Sequence, residues 1–248
     1  MTPAPAWARR FHTAVPDAPA LLCLPHAGGS ASAYFELSAR LRPEVDVRAV
    51  QYPGRQDRSG ETPVTVMEEL VERLADAIQP FAERPYALFG HSMGAVVAYE
   101  LALRLRREGV AAPLRLFVSG RRAPSAIRDE DVHRRSDDGV IAHVRELGGV
   151  RADVLDDPEI RAMVLPALRA DYTLVETYRA APGERVTCPV TVLVGDEDPL
   201  VTLDEARLWK EHTEAGFELE VFTGGHFYLT AQMSALAEAL TERLLGKP

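Results

Sequence analysis

Tyr86-Ala87-Leu88-Phe89-Gly90-His91-Ser92-Met93-Gly94-Ala95 is an apolar run that meets a serine flanked two residues away on each side by glycine. A helix-prone run, Ala95 to Arg107, follows directly. The G-x-S-x-G spacing is that of a sharp strand-to-helix turn that lifts a nucleophilic hydroxyl clear of a sheet. The glycines have a steric job there, because strand and helix cross too closely for a side chain at either position. The new helix would aim its first N–H groups at negative charge developing beside Ser92. A simple Gly-Ser-Gly turn fits the same five residues, so the rest of the chain has to decide.

Strand and helix patterns alternate on both sides of this stretch. Ala20–Leu24 is a short apolar strand closed by Pro25 and opened into a loop by Gly28-Gly29, with a helix over Ala33–Leu41 that Pro43 stops. Val45–Val50 reads as a strand, and Thr65–Phe81 carries Met67, Leu70, Val71, Leu74 and Ile78 at helical spacing. Gly109 suits the end of the helix after Ser92. Leu114–Val118, Val190–Val194 and Phe217–Phe222 read as further strands, and Ser234–Leu245 as a closing helix. This order predicts an α/β fold, a mostly parallel sheet with helices on both faces, in a single domain over 1–248. From Arg121 to Ala181 no strand pattern occurs. Helices are expected over Val140–Leu147 and Pro158–Tyr178, broken by Gly148-Gly149. An insert there would sit over the carboxyl ends of the strands, where such sheets bind ligands. It reads as a lid, with a purely structural insert as the other possibility.

At 248 residues, with 46% hydrophobic and 26% charged residues, the chain has the balance of an ordinary globular protein. A net charge of -9 argues against a nucleic-acid or anionic-membrane partner. Residues 1–10 carry no apolar leader core and no stretch is long enough to span a bilayer, so a cytoplasmic location is expected. Cys23 and Cys188 lie in or beside apolar runs and read as buried free thiols.

A serine hydroxyl needs a base to take its proton, and the base needs a third group to hold its tautomer. Around an elbow of this kind the partners follow as an acid and then a histidine. The acid belongs in Gly195-Asp196-Glu197-Asp198-Pro199, where Asp198 is the choice and Asp196 the alternative, with a loop-bracing role also open to it. The histidine belongs after the last strand, at Gly224-Gly225-His226-Phe227. His91 is expected to point away from the pocket, and His12, His26, His133, His143 and His212 fit the role less well. The oxyanion donors are expected to be the N–H of Met93 and that of Ala27, in the loop Pro25–Ser30. This chemistry requires no metal or bound cofactor, and neither Gly-containing loop has the ending of a phosphate-binding loop.

Several motifs together resemble one family, the type II (editing) thioesterases that accompany polyketide synthases and nonribosomal peptide synthetases. They are LPHAGGSAS at 24–32, QYPGRQDR at 51–58, FGHSMGAVVAYE at 89–100 and SGRRAP at 119–124. RELGG at 145–149, LRADYTLVETY at 168–178, GDEDPLV at 195–201 and GGHFYL at 224–229 complete the set, nearly spanning the chain. The resemblance implies an α/β-hydrolase fold, a Ser92–Asp198–His226 triad, and a helical lid over 121–181. It also implies hydrolysis of aberrant or stalled acyl groups from the phosphopantetheine arm of acyl or peptidyl carrier proteins. A monomer is expected. Alternatives are a chain-releasing fatty-acyl thioesterase, a general carboxylesterase, or a non-catalytic carrier-binding protein. Because carrier proteins are acidic, Arg55, Arg58, Arg121, Arg122, Arg134 and Arg135 are candidate docking contacts, or else simply solvated.

Overall fold

The computed structural model describes residues 7–149 and 155–246. Residues 1–6, read above for a leader, 150–154 of the insert, and 247–248 lie outside the described residues. The sheet is built from β1 (Ala8–Arg9), β2 (Ala20–Leu24), β3 (Asp46–Val50), β4 (Tyr86–His91), β5 (Leu116–Ser119), β6 (Val190–Gly195) and β7 (Phe217–Phe222). Their order across it is β1-β3-β2-β4-β5-β6-β7. Every pairing is parallel except that of β1, which runs antiparallel to β3 with Ala8 opposite Val50. β1 was not expected, because two residues are too short to show a period. The expected strand Leu114–Val118 begins two residues later, at Leu116.

The strands read as unbroken apolar runs because both faces are covered. Ala20, Leu22 and Leu24 of β2 face one core with Leu88 of β4, while Leu21 and Cys23 face a second core with Phe89. Helices α2 (Met67–Ile78) and α3 (Met93–Arg107) close the first face. Helices α1 (Phe35–Leu41) and α8 (Met233–Leu245) close the second. Each of these leucines is fully buried and contributes about 1.5–3 kcal/mol by leaving water, so neither face is dispensable. Two expected helices are shorter than their patterns. A 3-10 turn over Ala31–Tyr34 precedes α1, and Gln79–Phe81 tightens into a 3-10 turn after α2, where Pro80 brings no N–H.

The insert carries α4 (Asp137–Leu147) and α5 (Pro158–Thr177), with no strand among its described residues. Ser136 caps α4 by accepting the Gly139 N–H, and Gly148 ends it at a φ of 77°. Asp157 caps α5 by accepting the Glu159 and Ile160 N–H groups, ahead of Pro158. Val132, Val140, Ile141, Val144, Leu155 and Leu168 form a small core of their own. Leu174 and Val175, about two turns further along α5, belong to the main core. One helix thus joins the insert's core to the sheet's. Beyond β6 lie α6 (Leu203–Arg207) and α7 (Tyr228–Ala231), both too short to be legible as periodic patterns.

Candidate active site

Ser92 stands between β4 and α3 with φ 55° and ψ -116°, a left-handed backbone rare for a residue with a side chain. The turn is held by the Ser92 N–H donating to the Ser119 carbonyl at 2.8 Å and by Ala95 N–H donating to Ser92 O at 3.0 Å. Both flanking glycines are sterically required. A Cβ on Gly90 would lie 2.0 Å from the Gly94 carbonyl oxygen, and one on Gly94 would lie 2.0 Å from that of Leu24. Met93 opens α3, so its N–H has no acceptor one turn back within the helix.

The acid and histidine loops are bound to each other. Asp196 accepts the Gly224 N–H at 2.8 Å and Glu197 N–H donates to Gly224 O at 3.0 Å. A Cβ on Gly195 would strike the same carbonyl at 2.2 Å. Asp196 is therefore the brace, exposed to solvent. Asp198 is the carboxylate on His226, with Nδ1 2.9 Å from Oδ2 and 3.1 Å from Oδ1, and it also accepts the Leu200 N–H at 2.9 Å. An ionised carboxylate only accepts, so Nδ1 carries the proton and Nε2 keeps a free lone pair. Both side chains are buried, His226 at 2% and Asp198 at 8% exposure. Among the described residues no hydrogen bond joins Ser92 to His226, whose bonds run to Asp198. The two still share a corner. Ser119 holds the Ser92 N–H, and a Cβ on its neighbour Gly120 would stand 3.4 Å from His226 Cε1.

His91, expected to point away, lines none of the cavities described below but is not remote. Its ring centroid is 5.0 Å from that of His226, and its Nδ1 meets Ser119 Oγ at 2.9 Å, which in turn bonds the Tyr228 hydroxyl at 2.7 Å. Burial drives its pKa well below the ordinary histidine value, and the neighbouring His226 and His26 push the same way. His26 is lowered to about 4, first by burial, then by His226 and Arg55.

The loop Pro25–Ser30 is held from several directions. Gly29 N–H donates to His26 O at 2.9 Å, closing a turn whose third residue, Gly28, has φ 74°. Tyr34 OH donates to Leu24 O at 2.7 Å and Tyr52 OH to Pro25 O at 3.4 Å. Asp171 on α5 accepts the Gly28 N–H at 2.7 Å. Arg55 grips Asp171 with two bonds, of 2.6 and 2.9 Å, and donates to Gly29 O at 3.1 Å. Burial alone would lower the Arg55 pKa, but the Asp171 carboxylate beside it leaves it raised. Sequence reasoning missed this pair, since 116 residues separate its members and neither lies in a catalytic motif.

Ala27, Ser92 and Met93 border one cavity of about 30 Å³, together with Arg121, His143, Tyr172 and Glu176. It is large enough for one water-sized group. Ala27, Leu147 and Tyr172 also line an apolar cavity of about 110 Å³, whose walls include Val144, Leu155, Ile160, Leu168 and Phe227. On the other side Arg121, Glu130 and Glu176 are shared with a cleft that exposes Arg128 and Arg179. His143, set aside in the sequence, therefore faces the serine's cavity.

The six arginines proposed for docking do not form one surface. Arg55 and Arg58 are buried, Arg58 on Glu61 and the Gln51 carbonyl. Arg122 is 4% exposed and holds Glu130 through both guanidinium nitrogens, at 3.0 and 2.5 Å. Arg121 lines the inner cavities, its pKa lowered to about 10 chiefly by burial. Arg134 and Arg135 alone of the six are exposed. Cys23 and Cys188 are buried and free, as read, with burial raising both thiols.

A family model described as a thioesterase domain matches residues 19–244. The chain belongs to the thioesterase family. It is 46% identical to thioesterase PikA5 of Streptomyces venezuelae over 240 residues, 96% of this chain and 85% of that one. A probable cadicidin biosynthesis thioesterase of Streptomyces griseus is 49% identical over 238 residues, 96% of this chain and 66% of the relative, so about a third of that relative has no counterpart here. Among solved structures, the type II thioesterase BorB from the borrelidin biosynthetic cluster superposes with a TM-score of 0.90 at 47% identity, covering 96% of this chain and 98% of that one. The mostly parallel α/β sheet expected from the sequence is thus also the architecture of a solved thioesterase. The thioesterase hydrolyses thioesters; no helix among its described residues is long and apolar enough to cross a membrane.

Proposed function

We propose that this thioesterase removes acyl groups from the phosphopantetheine arms of carrier proteins in polyketide or nonribosomal peptide assembly. Ser92, His226 and Asp198 carry the chemistry and Met93 and Ala27 supply the oxyanion donors. The observation that carries the reading is the single cavity bordered by Ala27, Ser92 and Met93, beside a His226 already held by Asp198. The similarity to the probable cadicidin biosynthesis thioesterase and to BorB of the borrelidin biosynthetic cluster supports the biosynthetic setting.

Ser92 Oγ attacks the acyl carbon as His226 Nε2 takes its proton, and the two N–H groups hold the oxyanion. The C–S bond breaks and the thiol leaves with the proton from His226. A thiol of pKa about 8.5 is a good leaving group, so no metal or bound cofactor is called for. Water then loses a proton to His226, attacks the ester on Ser92 and frees the acid. The Ser92–His226 bond forms when substrate fills the site, a tightening common to such pairs.

We read 121–181 as a lid within a single domain, and the 110 Å³ apolar cavity beneath it as the acyl pocket. That volume is below the ~150 Å³ of an engineered cavity that admits benzene, so short acyl groups fit. A panel from acetyl to decanoyl on one carrier protein, with matched oxygen esters, tests the proposal. Fastest turnover of acetyl to butyryl thioesters, abolished in Ser92→Ala, is expected. A preference for decanoyl would favour chain release, and faster oxygen esters a general esterase.

A further inference from the structure

The lid helix holds the oxyanion loop through a buried ion pair. Asp171 lies on α5, in the insert, with 3% exposure, and Arg55, with 8%, lies in the segment after β3. Between them they grip the loop at two adjacent residues, through Gly28 N–H on Asp171 and Gly29 O on Arg55. The turn His26–Gly29 has its left-handed residue third, as in a type II turn. The middle peptide of such a turn is the one most prone to rotate, and here it joins Ala27 to Gly28 and contains the Gly28 N–H, so fixing it fixes Ala27 from its carboxyl side. Asp171 accepts from it, so a flip would turn the Ala27 carbonyl toward a carboxylate and is resisted by charge. On the other side of Ala27, the Tyr34 and Tyr52 hydroxyls fix the Leu24 and Pro25 carbonyls.

We propose that Arg55 and Asp171 are positioning residues for the reaction: their ion pair makes a complete oxyanion hole conditional on a seated lid. Displacing α5 from the loop removes the Gly28 acceptor and leaves the carboxyl side of Ala27 to Arg55 on Gly29 O, a guanidinium then without its carboxylate. Water attack and thioester cleavage are thereby confined to the closed enzyme. The inference rests on the reading of Ala27 as an oxyanion donor.

A buried pair broken on one side leaves an uncompensated charge, whereas replacing both partners by apolar residues is often tolerated. The deciding variant is therefore Arg55→Met with Asp171→Leu, compared with Arg55→Lys, which keeps charge but loses the two-nitrogen fork. Each is assayed on butyryl-pantetheine, a substrate without a carrier protein. Inhibition by an alkyl trifluoromethyl ketone, whose adduct with Ser92 places an oxyanion in the hole, gives a second readout. Losing one oxyanion donor costs on the order of 10²–10³ in kcat. We expect kcat of the double variant to fall 10- to 100-fold, with KM within threefold and Tm near wild type. Inhibition by the ketone weakens by the same factor, and Arg55→Lys is intermediate. Wild-type kcat and ketone inhibition in both variants would overturn the proposal. So would a kcat loss confined to variants whose Tm has fallen in step. A wild-type enzyme inert toward butyryl-pantetheine and butyryl-carrier protein alike would instead sink the functional reading beneath it.

Discussion

His91 and His226 lie ring against ring, their centroids 5.0 Å apart and their planes 38° from parallel, yet only His226 has a carboxylate. His91 Nε2 is buried without a hydrogen-bond partner among the described residues. Its burial keeps the ring neutral, which lets His226 become an imidazolium beside it without repulsion. Replacing His91 by Phe keeps a flat ring and removes the orphaned nitrogen together with the Nδ1 bond to Ser119, whose hydroxyl keeps Tyr228, so kcat should stay within about fivefold and Tm should change little. Loss of activity on the scale of His226→Ala, in a folded His91→Phe enzyme, would show that the wrong histidine has been taken as the base.

Two aspartates two residues apart have different partners. Asp198→Asn should lower kcat by about 10³–10⁴-fold, the scale seen when a triad carboxylate loses its charge. Asp196→Asn keeps an oxygen for the Gly224 N–H and should stay within tenfold. Kinetics of the two purified variants settle the assignment, and equal losses would refute it.

Acid should unfold this protein earlier than its carboxylates alone require. The unfolded chain binds a proton on His26 near pH 6.5, but the folded chain does so only near 4. Between those values the unfolded state holds more protons, so stability falls as pH falls and is fully present above 6.5. His91 adds to the same trend. The loss is on the order of 1–3 kcal/mol, since one pKa unit is worth about 1.4 kcal/mol. Urea unfolding at pH 7.5 and 4.5 measures it, and His26→Asn should flatten the difference.

Leu168 seals the apolar cavity against the oxyanion loop, with its Cδ2 2.4 Å from where a Gly28 Cβ would sit. Leu168→Ala should extend the cavity and move the preferred acyl group from butyryl toward hexanoyl or octanoyl. A stability cost of about 2–5 kcal/mol accompanies it. An unchanged chain-length profile would place the acyl group elsewhere.

Arg134 and Arg135, exposed next to α4, are the docking contacts proposed for an acidic carrier. Reversing both to Glu should raise KM for acyl-carrier protein about tenfold and leave that for acyl-pantetheine unchanged. Equal effects on the two substrates would rule out a docking role.

The sheet was legible because its strands are buried on both faces and announce themselves as apolar runs. The elbow, the acid loop and the histidine loop were legible because each needs particular residues at a strand end. The sequence favours Asp198 over Asp196 by its place past the strand end alone, since the partners that distinguish them, His226 and Gly224, come from the next loop. Arg55 illustrates the opposite limit. An arginine in a polar stretch looks like a surface charge, and only the arrival of α5 with Asp171 makes it an interior group. The same holds for Arg58 and Arg122, whose carboxylates lie three and eight residues away.

Gly94 touches the Leu24 carbonyl so closely that no methyl group fits between them. Met93 is the residue before Gly94, and Ala27 follows Leu24 by three. The spacing of the two N–H groups proposed as oxyanion donors is therefore gauged by a backbone contact that has no side chain to adjust. The cavity proposed for the acyl group, by contrast, is walled largely by leucines, valines and an isoleucine of the insert, any of which can change size. The molecule separates a fixed instrument from an interchangeable fixture. Substrate scope can drift through substitutions in the insert while the machinery that breaks the bond keeps its calibration.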